Sequence, residues 1–195
     1  MTSHTTSTGE DMALDTGRFV SDDRAGGLRP EPLAESQPKA LIANAVGLPY
    51  HDLGPWANDL MASRKPDFII GADYIHRWWV IPRNKQANVY LHRIMHSDDD
   101  RALHDHPWAN TSVVLSGRYL EHTPDGSIMR EAGDVIVRQA TDAHRLEILP
   151  GEECVSLFMT GPTVREWGFH CPQGWRLWTE FVDARDSGQI GRGCD

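Results

Sequence analysis

His104-Asp105-His106, followed downstream by Gly133 and His144, is the stretch of this chain whose side chains could do chemistry. On an extended strand, residues i and i+2 project from the same side of a sheet, so His104 and His106 point together. A third imidazole from a neighbouring strand, His144, would close a facial metal site. Neutral imidazole suits zinc, copper, iron and nickel, and a coordination position left open would admit substrate or dioxygen. The plainer alternative is three ordinary polar residues in a barrel that holds no metal.

The elements that must position these residues follow from periodicity and turn chemistry. Residues 1–36 are rich in Ser, Thr, Asp, Glu and Gly and are expected to form a flexible tail. A short helical region is expected over 37–66. Leu41, Ile42, Ala45 and Val46 recur at helical spacing before Gly47, and Pro55 opens a second helix with Trp56, Leu60 and Met61 on one face. Lys65-Pro66 then stops it. Residues 67–183 read as short strands, at 68–70, 75–81, 89–95, 111–115, 118–122, 127–130, 134–139, 144–149 and 155–160. Turn signals separate them, among them Ser116-Gly117, Pro124-Asp125-Gly126 and Pro150-Gly151. Short strands with turns at regular spacing predict a mainly β sandwich or barrel. Residues 184–195 are expected to form a loose C-terminal tail.

Composition excludes several classes. A length of 195 residues fits one domain plus a tail. The formal charge of −9 argues against a nucleic-acid binder, which needs a basic face. No apolar run approaches the ~20 residues of a membrane span. The N-terminus carries no apolar signal region, which predicts a cytoplasmic protein. Three cysteines, Cys154, Cys171 and Cys194, are odd in number and form no Cys-x-x-Cys pair, so neither a zinc knuckle nor a disulfide framework is expected.

Across residues 85–160 the sequence resembles the cupin superfamily of small double-sheet barrels. The first cupin motif has His-x-His, a Glu and then a Gly at a hairpin turn; here those positions hold His104-Asp105-His106, Asn110 and Gly117. The second begins with Gly, carries a Pro-x-Gly turn and supplies the last His; here it reads Gly133, Gln139, Thr141 and His144, with both turn residues replaced. The strand patterns Val113-Val114-Leu115 and Asp134-Val135-Ile136-Val137 also match. This resemblance implies a cupin-like double-stranded β-helix, or jelly-roll barrel. It implies metal ligation by His104, His106 and His144, with Asn110 or water as a fourth contact. Asn110 is neutral where the family has a carboxylate, so the implied centre is of the three-histidine type, similar to thiol and diketone dioxygenases. The implied function is therefore an Fe(II) dioxygenase taking a small metal-ligating substrate and dioxygen as partners. Zn, Ni, Mn or Cu are alternative metals. A metal-assisted isomerase, lyase or epimerase is an alternative activity, and a non-catalytic ligand- or metal-binding module another. A homodimer is expected, with no nucleic-acid or membrane partner.

Around this core lie weaker candidates. His96-Ser97-Asp98 has the His-x-Asp spacing of oxoglutarate-dependent oxygenases, but the nearest Arg beyond His144 that could bind the cosubstrate, Arg165, is too far along. Asp98 is expected to be a solvated carboxylate, and Asp105 a solvated or hairpin-pairing one. Tyr90, His92 and Arg165 are pocket candidates, with Arg93 beside them. Arg165 would meet an anionic substrate at the lip, unless 164–171 is simply an aromatic edge strand. Arg130 and Arg138 are expected on the outer surface or in a subunit contact, and Arg145 is expected to face away from the metal. Trp108 and Tyr119 are expected to pack.

Overall fold

The computed structural model describes residues 46–71, 73–98, 102–185 and 189–195. The expected tail and all but the last residue of the first expected helix lie outside them.

A 3-10 turn at Tyr50–Asp52 leads into α1, Leu53–Ser63. The helix starts two residues before Pro55, which it accommodates because first-turn N–H groups have no intrahelical partner. Leu53 and Ala57 are buried, with Trp56, Leu60 and Met61 packed beside them. Among the described residues eleven strands follow, all paired antiparallel. They are β1 Phe68–Ile70, β2 Ile75–Trp79, β3 Asn88–Ile94, β4 Leu103–His104, β5 Asn110–Thr123, β6 Gly126–Glu131, β7 Val135–Arg138, β8 Arg145–Glu147, β9 Cys154–Thr160, β10 Gly168–Cys171 and β11 Gly174–Leu177. A last short helix, α2, spans Trp178–Phe181. The larger sheet runs β1-β2-β3-β9-β5-β6, with β7 and β8 also paired to β5; a smaller sheet runs β11-β10-β4. The fold is mainly β, a cupin-like double-stranded β-helix.

Alternation divides the large sheet into two faces. Trp78 of β2, Val89 and Leu91 of β3, Val113 of β5 and Val155 and Leu157 of β9 pack beneath α1. Their neighbours Arg77, Tyr90, His92, Ser112, Ser156 and Phe158 face a cavity on the other side.

Sequence punctuation placed a hairpin turn at Gly117, but the chain there does not reverse. Residues 110–123 form one long strand with a register shift between Val114 and Ser116, so its first half pairs with β7 and β9 and its second half with β6 and β8. Gly117 lies at φ 73°, and a Cβ built on it would sit 1.8 Å from the carbonyl oxygen of Glu153. Gly117→Ala should therefore cost about 3 kcal/mol or more in urea unfolding, since backbone strain and a backbone clash add. A loss below about 0.5 kcal/mol would show that the bend relaxes easily.

The described C-terminal residues are not loose. Cys171 and Cys194 form a disulfide, Gly191 and Gly193 donate N–H bonds to the Phe181 carbonyl, and Val182 bridges Ile190. Phe169, Trp178 and Phe181 form a small core beneath this segment. An odd cysteine count could not foretell the bond, because the third cysteine, Cys154, is buried and unpaired in the main sheet. A disulfide sits uneasily with the reducing compartment predicted above, where thiols are normally kept reduced. Among the described residues no helix is long and apolar enough to cross a membrane.

Candidate metal centre

The two ligand-bearing segments are tied together through their backbones. His104 and His144 exchange N–H···O bonds of 2.9 Å in both directions, and the His106 N–H donates to the Ala140 carbonyl. This pairing brings His104, His106 and His144 together, with one ring nitrogen from each lying within 4.8 Å of the others. The Nε2 atoms of His106 and His144 are 2.9 Å apart.

Burial keeps these rings neutral, because desolvation penalises the charged form. It lowers His104, lowers His106 well below the ordinary histidine value with help from the neighbouring His144 and His104, and with Arg138 takes His144 down to about 4. His144 Nδ1 lies 3.1 Å from Glu121 Oε1. Donation to that carboxylate leaves the lone pair of Nε2 aimed at the cluster, the usual way a carboxylate fixes the tautomer of a ligating histidine.

Glu121 is the residue that sequence reasoning missed. It is 1% exposed. Its oxygens accept from Arg130 Nε at 2.7 Å, from Arg138 Nε at 2.9 Å and from Arg138 Nη2. Burial opposes its ionisation, yet the bonds from His144, Arg138 and Arg130 hold its carboxyl well below the ordinary range. Arg130 and Arg138 therefore do not decorate the outer surface. Both turn inward, and Arg138 is buried, because Glu121 needs their charge. Arg145 is half-buried and lies 3.5 Å from Glu147.

The two expected solvated carboxylates are interior. Asp98 accepts from the Tyr74 hydroxyl and from the Leu146 N–H at 2.7 Å, and its Oδ2 lies 3.9 Å from His104 Nδ1. Its chain neighbour His96 is exposed. Asp105, 1% exposed, accepts from the Gly168 N–H at 2.8 Å and from Trp175 Nε1 at 3.0 Å, and contacts His170 and Arg165. The side of the strand opposite His104 and His106 is not solvent but the β10–β11 ribbon, which clamps over it.

Asn110 is buried, with Oδ1 3.5 Å from Arg138 Nη1 and an amide nitrogen that has no hydrogen-bond partner. Its one oxygen is thus turned toward the Glu121–Arg138 network. Tyr90 and His92 stack at 5.9 Å on the cavity side of β3, and Phe158 stacks on His92 at 5.1 Å. Arg93 points the other way and pairs with Glu153 at 2.7 Å. Arg165 lines the cavity but is held by Asp105 Oδ2 at 2.8 Å and lies over the Trp175 ring. Trp108 stacks on His106 at 4.7 Å, while Tyr119 is buried in the core and also borders the cavity. Residues 168–171 form the middle strand of the small sheet, paired with β11 on one side and β4 on the other, rather than an edge strand, and Cys171 is committed to its disulfide rather than to His170.

The cluster borders a cavity of about 500 Å³ whose wall carries Trp108, Phe158, Trp167 and Phe169. This is a cupin-like barrel. No family model matches the chain, and no curated protein matches it. Among solved structures it is similar to the polyketide cyclase RemF from Streptomyces resistomycificus, at 18% identity over 50% of this chain and 72% of that one, with a TM-score of 0.43. It is also similar to a conserved protein with a double-stranded β-helix domain from Klebsiella pneumoniae (20% identity, 51% of this chain, 86% of that one, TM-score 0.41). A cupin domain from Bordetella pertussis matches at 19% identity over 51% of this chain and 98% of its own, with a TM-score of 0.37.

The donor set fits a divalent cation. Three imidazoles are neutral and converge, one has its tautomer fixed from behind, and nearby carboxylates steady the surroundings. His104, His106 and His144 are the residues that could hold it.

Neutral burial has a consequence for acid stability. The lowered histidines bind fewer protons folded than unfolded, so their contribution is full above pH 6.5 and drains as pH falls, for His144 down to about 4. Glu121, held below its ordinary value of 4.5, extends the loss below that pH. The urea midpoint of metal-free protein should be level between about pH 7 and 8 and should decline from about pH 6.5 downward. A midpoint unchanged to about pH 5 would mean that the rings are not held neutral.

Proposed function

We propose that this chain is a metal-dependent cupin enzyme, an Fe(II) dioxygenase acting on a small metal-ligating substrate. The observation that carries the reading is the set of three neutral imidazoles converging at an aromatic cavity, with His144 aimed by Glu121. A cation held by His104, His106 and His144 would supply Lewis acidity, a template and, as iron, a relay of electrons to dioxygen. The protein's own share is positioning and exclusion of water. Glu121 fixes the tautomer of His144, Trp108 holds the His106 ring by stacking, and the rings of Phe158, Trp167 and Phe169 keep the chamber apolar.

An isomerase, lyase or epimerase needs a positioned base with a suitable pKa. Asp98, Asp105 and Glu121, the carboxylates packed around the cluster, already accept from structural donors. That commitment supports oxygen chemistry, which asks the protein mainly for orientation.

Metal analysis of protein purified without oxygen, combined with oxygen uptake against thiols, diketones, catechols and aromatic acids, tests the proposal. About one iron per chain and substrate-dependent uptake are expected. Stoichiometric Zn, Ni, Mn or Cu without uptake would replace the dioxygenase with a non-redox activity. No retained metal would end the metal reading altogether. Light scattering on the same sample tests the proposed homodimer.

A further inference from the structure

Away from the cavity a second set of reactive side chains meets on β5, β6 and β8. His122 of β5 lies opposite Ser127 of β6 on one side and Arg145 of β8 on the other. The Ser127 Oγ is 2.8 Å from His122 Nδ1, and His122 Nε2 is 2.8 Å from Glu147 Oε2. Arg145 lies 3.5 Å from the same carboxylate oxygen. His122, Ser127 and Glu147 are not among the residues that line the cavity. His122 follows Glu121 along one strand, so the two side chains leave the sheet on opposite sides.

The groups themselves set the direction of the two bonds. An ionised carboxylate only accepts, so Nε2 carries the ring proton and donates it to Glu147. Nδ1 then presents a lone pair, and the Ser127 O–H donates to it. The bond from His122 and the charge of Arg145 hold the Glu147 carboxyl below its ordinary range, so it stays ionised near neutrality. Hydroxyl, neutral imidazole and carboxylate in that order form the chain that activates a weak nucleophile. Burial does not force these bonds. Ser127 is exposed and the other two are half-buried, so water could satisfy each group singly.

Two further features suit acyl transfer. Among the described residues β6 ends the larger sheet and pairs only with β5. Such an edge strand presents N–H groups without strand partners, the kind of donor that an oxyanion needs. One step along the same face, Leu120 lies opposite Met129, which is 40% exposed, and together they offer a short acyl chain an apolar strip.

We propose that Ser127, His122 and Glu147 form an acyl-transfer site for small esters with short acyl chains, separate from the metal centre and independent of it. Ser127 Oγ attacks the ester carbonyl carbon while its proton passes to His122 Nδ1. The tetrahedral adduct expels the alcohol oxygen, which takes that proton, and an acyl group is left on Ser127. A water then gives a proton to Nδ1 as its oxygen adds to the acyl carbon. That proton returns to Ser127 Oγ as the carboxylic acid departs. Glu147 remains a carboxylate throughout and positions the ring.

The test incubates full-length protein, with and without a metal chelator, with p-nitrophenyl acetate and locates acetyl groups by peptide mass mapping. Ser127 should be acetylated about tenfold or more faster than Ser116, which is also exposed on β5. His122→Gln should slow that labelling about a hundredfold, the usual order for loss of a general base. Glu147→Gln should slow it about tenfold, and Glu147→Asp should restore part of the rate, a rescue that a purely structural carboxylate would not show. Nitrophenolate release should continue after an initial burst, with the burst lost in Ser127→Ala. The chelator should change the labelling rate by less than about twofold, because the metal takes no part. Labelling of Ser127 no faster than that of Ser116, a rate unchanged in His122→Gln, or labelling abolished by the chelator would each overturn the proposal. Should His122→Gln not fold, an unchanged rate in Glu147→Gln overturns it instead.

Discussion

Glu121→Ala is expected to destabilise the metal-free protein by about 3–5 kcal/mol in urea unfolding, the range for breaking a buried ion pair from one side. Arg138 would stay 5% exposed with its main counter-charge gone, and Arg130 would lose a 2.7 Å bond. Glu121→Gln keeps the shape and one acceptor, so its stability loss should be smaller. Its effect on metal should still be large, because a neutral amide orients the Nδ1–H of His144 less firmly. Losing such a partner typically costs about ten- to a hundredfold in metal affinity. Competition with a chromogenic chelator measures it. Affinity within about twofold of the unaltered protein would mean that Glu121 serves the arginines alone.

Asp105→Ala should rival that loss, at about 3–5 kcal/mol, by a different route. The carboxylate collects the Gly168 N–H, the Trp175 indole, His170 and Arg165, and so fastens the β10–β11 ribbon to the histidine-bearing segment. Phe169 on that ribbon lies 5.9 Å from the His104 ring and 3.7 Å from Phe181, so a loosened ribbon also uncovers the cluster. Hydrogen exchange should place the new openings at residues 168–177 while β3 and β9 stay protected. Uniform loosening of the whole barrel would show that Asp105 is not a local fastener.

The three histidines were legible because their information is local. A spacing of two on a strand fixes a shared side, and the glycines flanking the third histidine mark the turns that return it. Glu121 was hidden by a single irregularity. The shift between Val114 and Ser116 reverses alternation along β5, so Tyr119 and Glu121 come to the side already held by Ser112 and Val114. Counted from Asn110 without that shift, Glu121 falls on the side of Val113, away from the cavity. Arg138 reads as a surface residue because the partner that draws it inward, Glu121, is hidden by the same shift. Asp98 and Asp105 read as solvated because a carboxylate in a polar run normally is; their burial depends on donors from distant strands, which no local pattern announces. Cys171 and Cys194 meet only because the last residues fold back onto Phe181.

The alternation of β3 and β9 separates durability from selectivity. Odd-numbered side chains on both strands, Val89, Leu91, Val155 and Leu157, are anchored under α1, whereas even-numbered Tyr90, His92, Ser156 and Phe158 meet whatever enters. Randomising only the even set should retune ligand choice on a scaffold that still melts as one unit, and the odd set can be hardened without touching chemistry. Along β5 the same recipe must switch parity at the bulge, where adding or removing one residue would exchange the roles of every position beyond it.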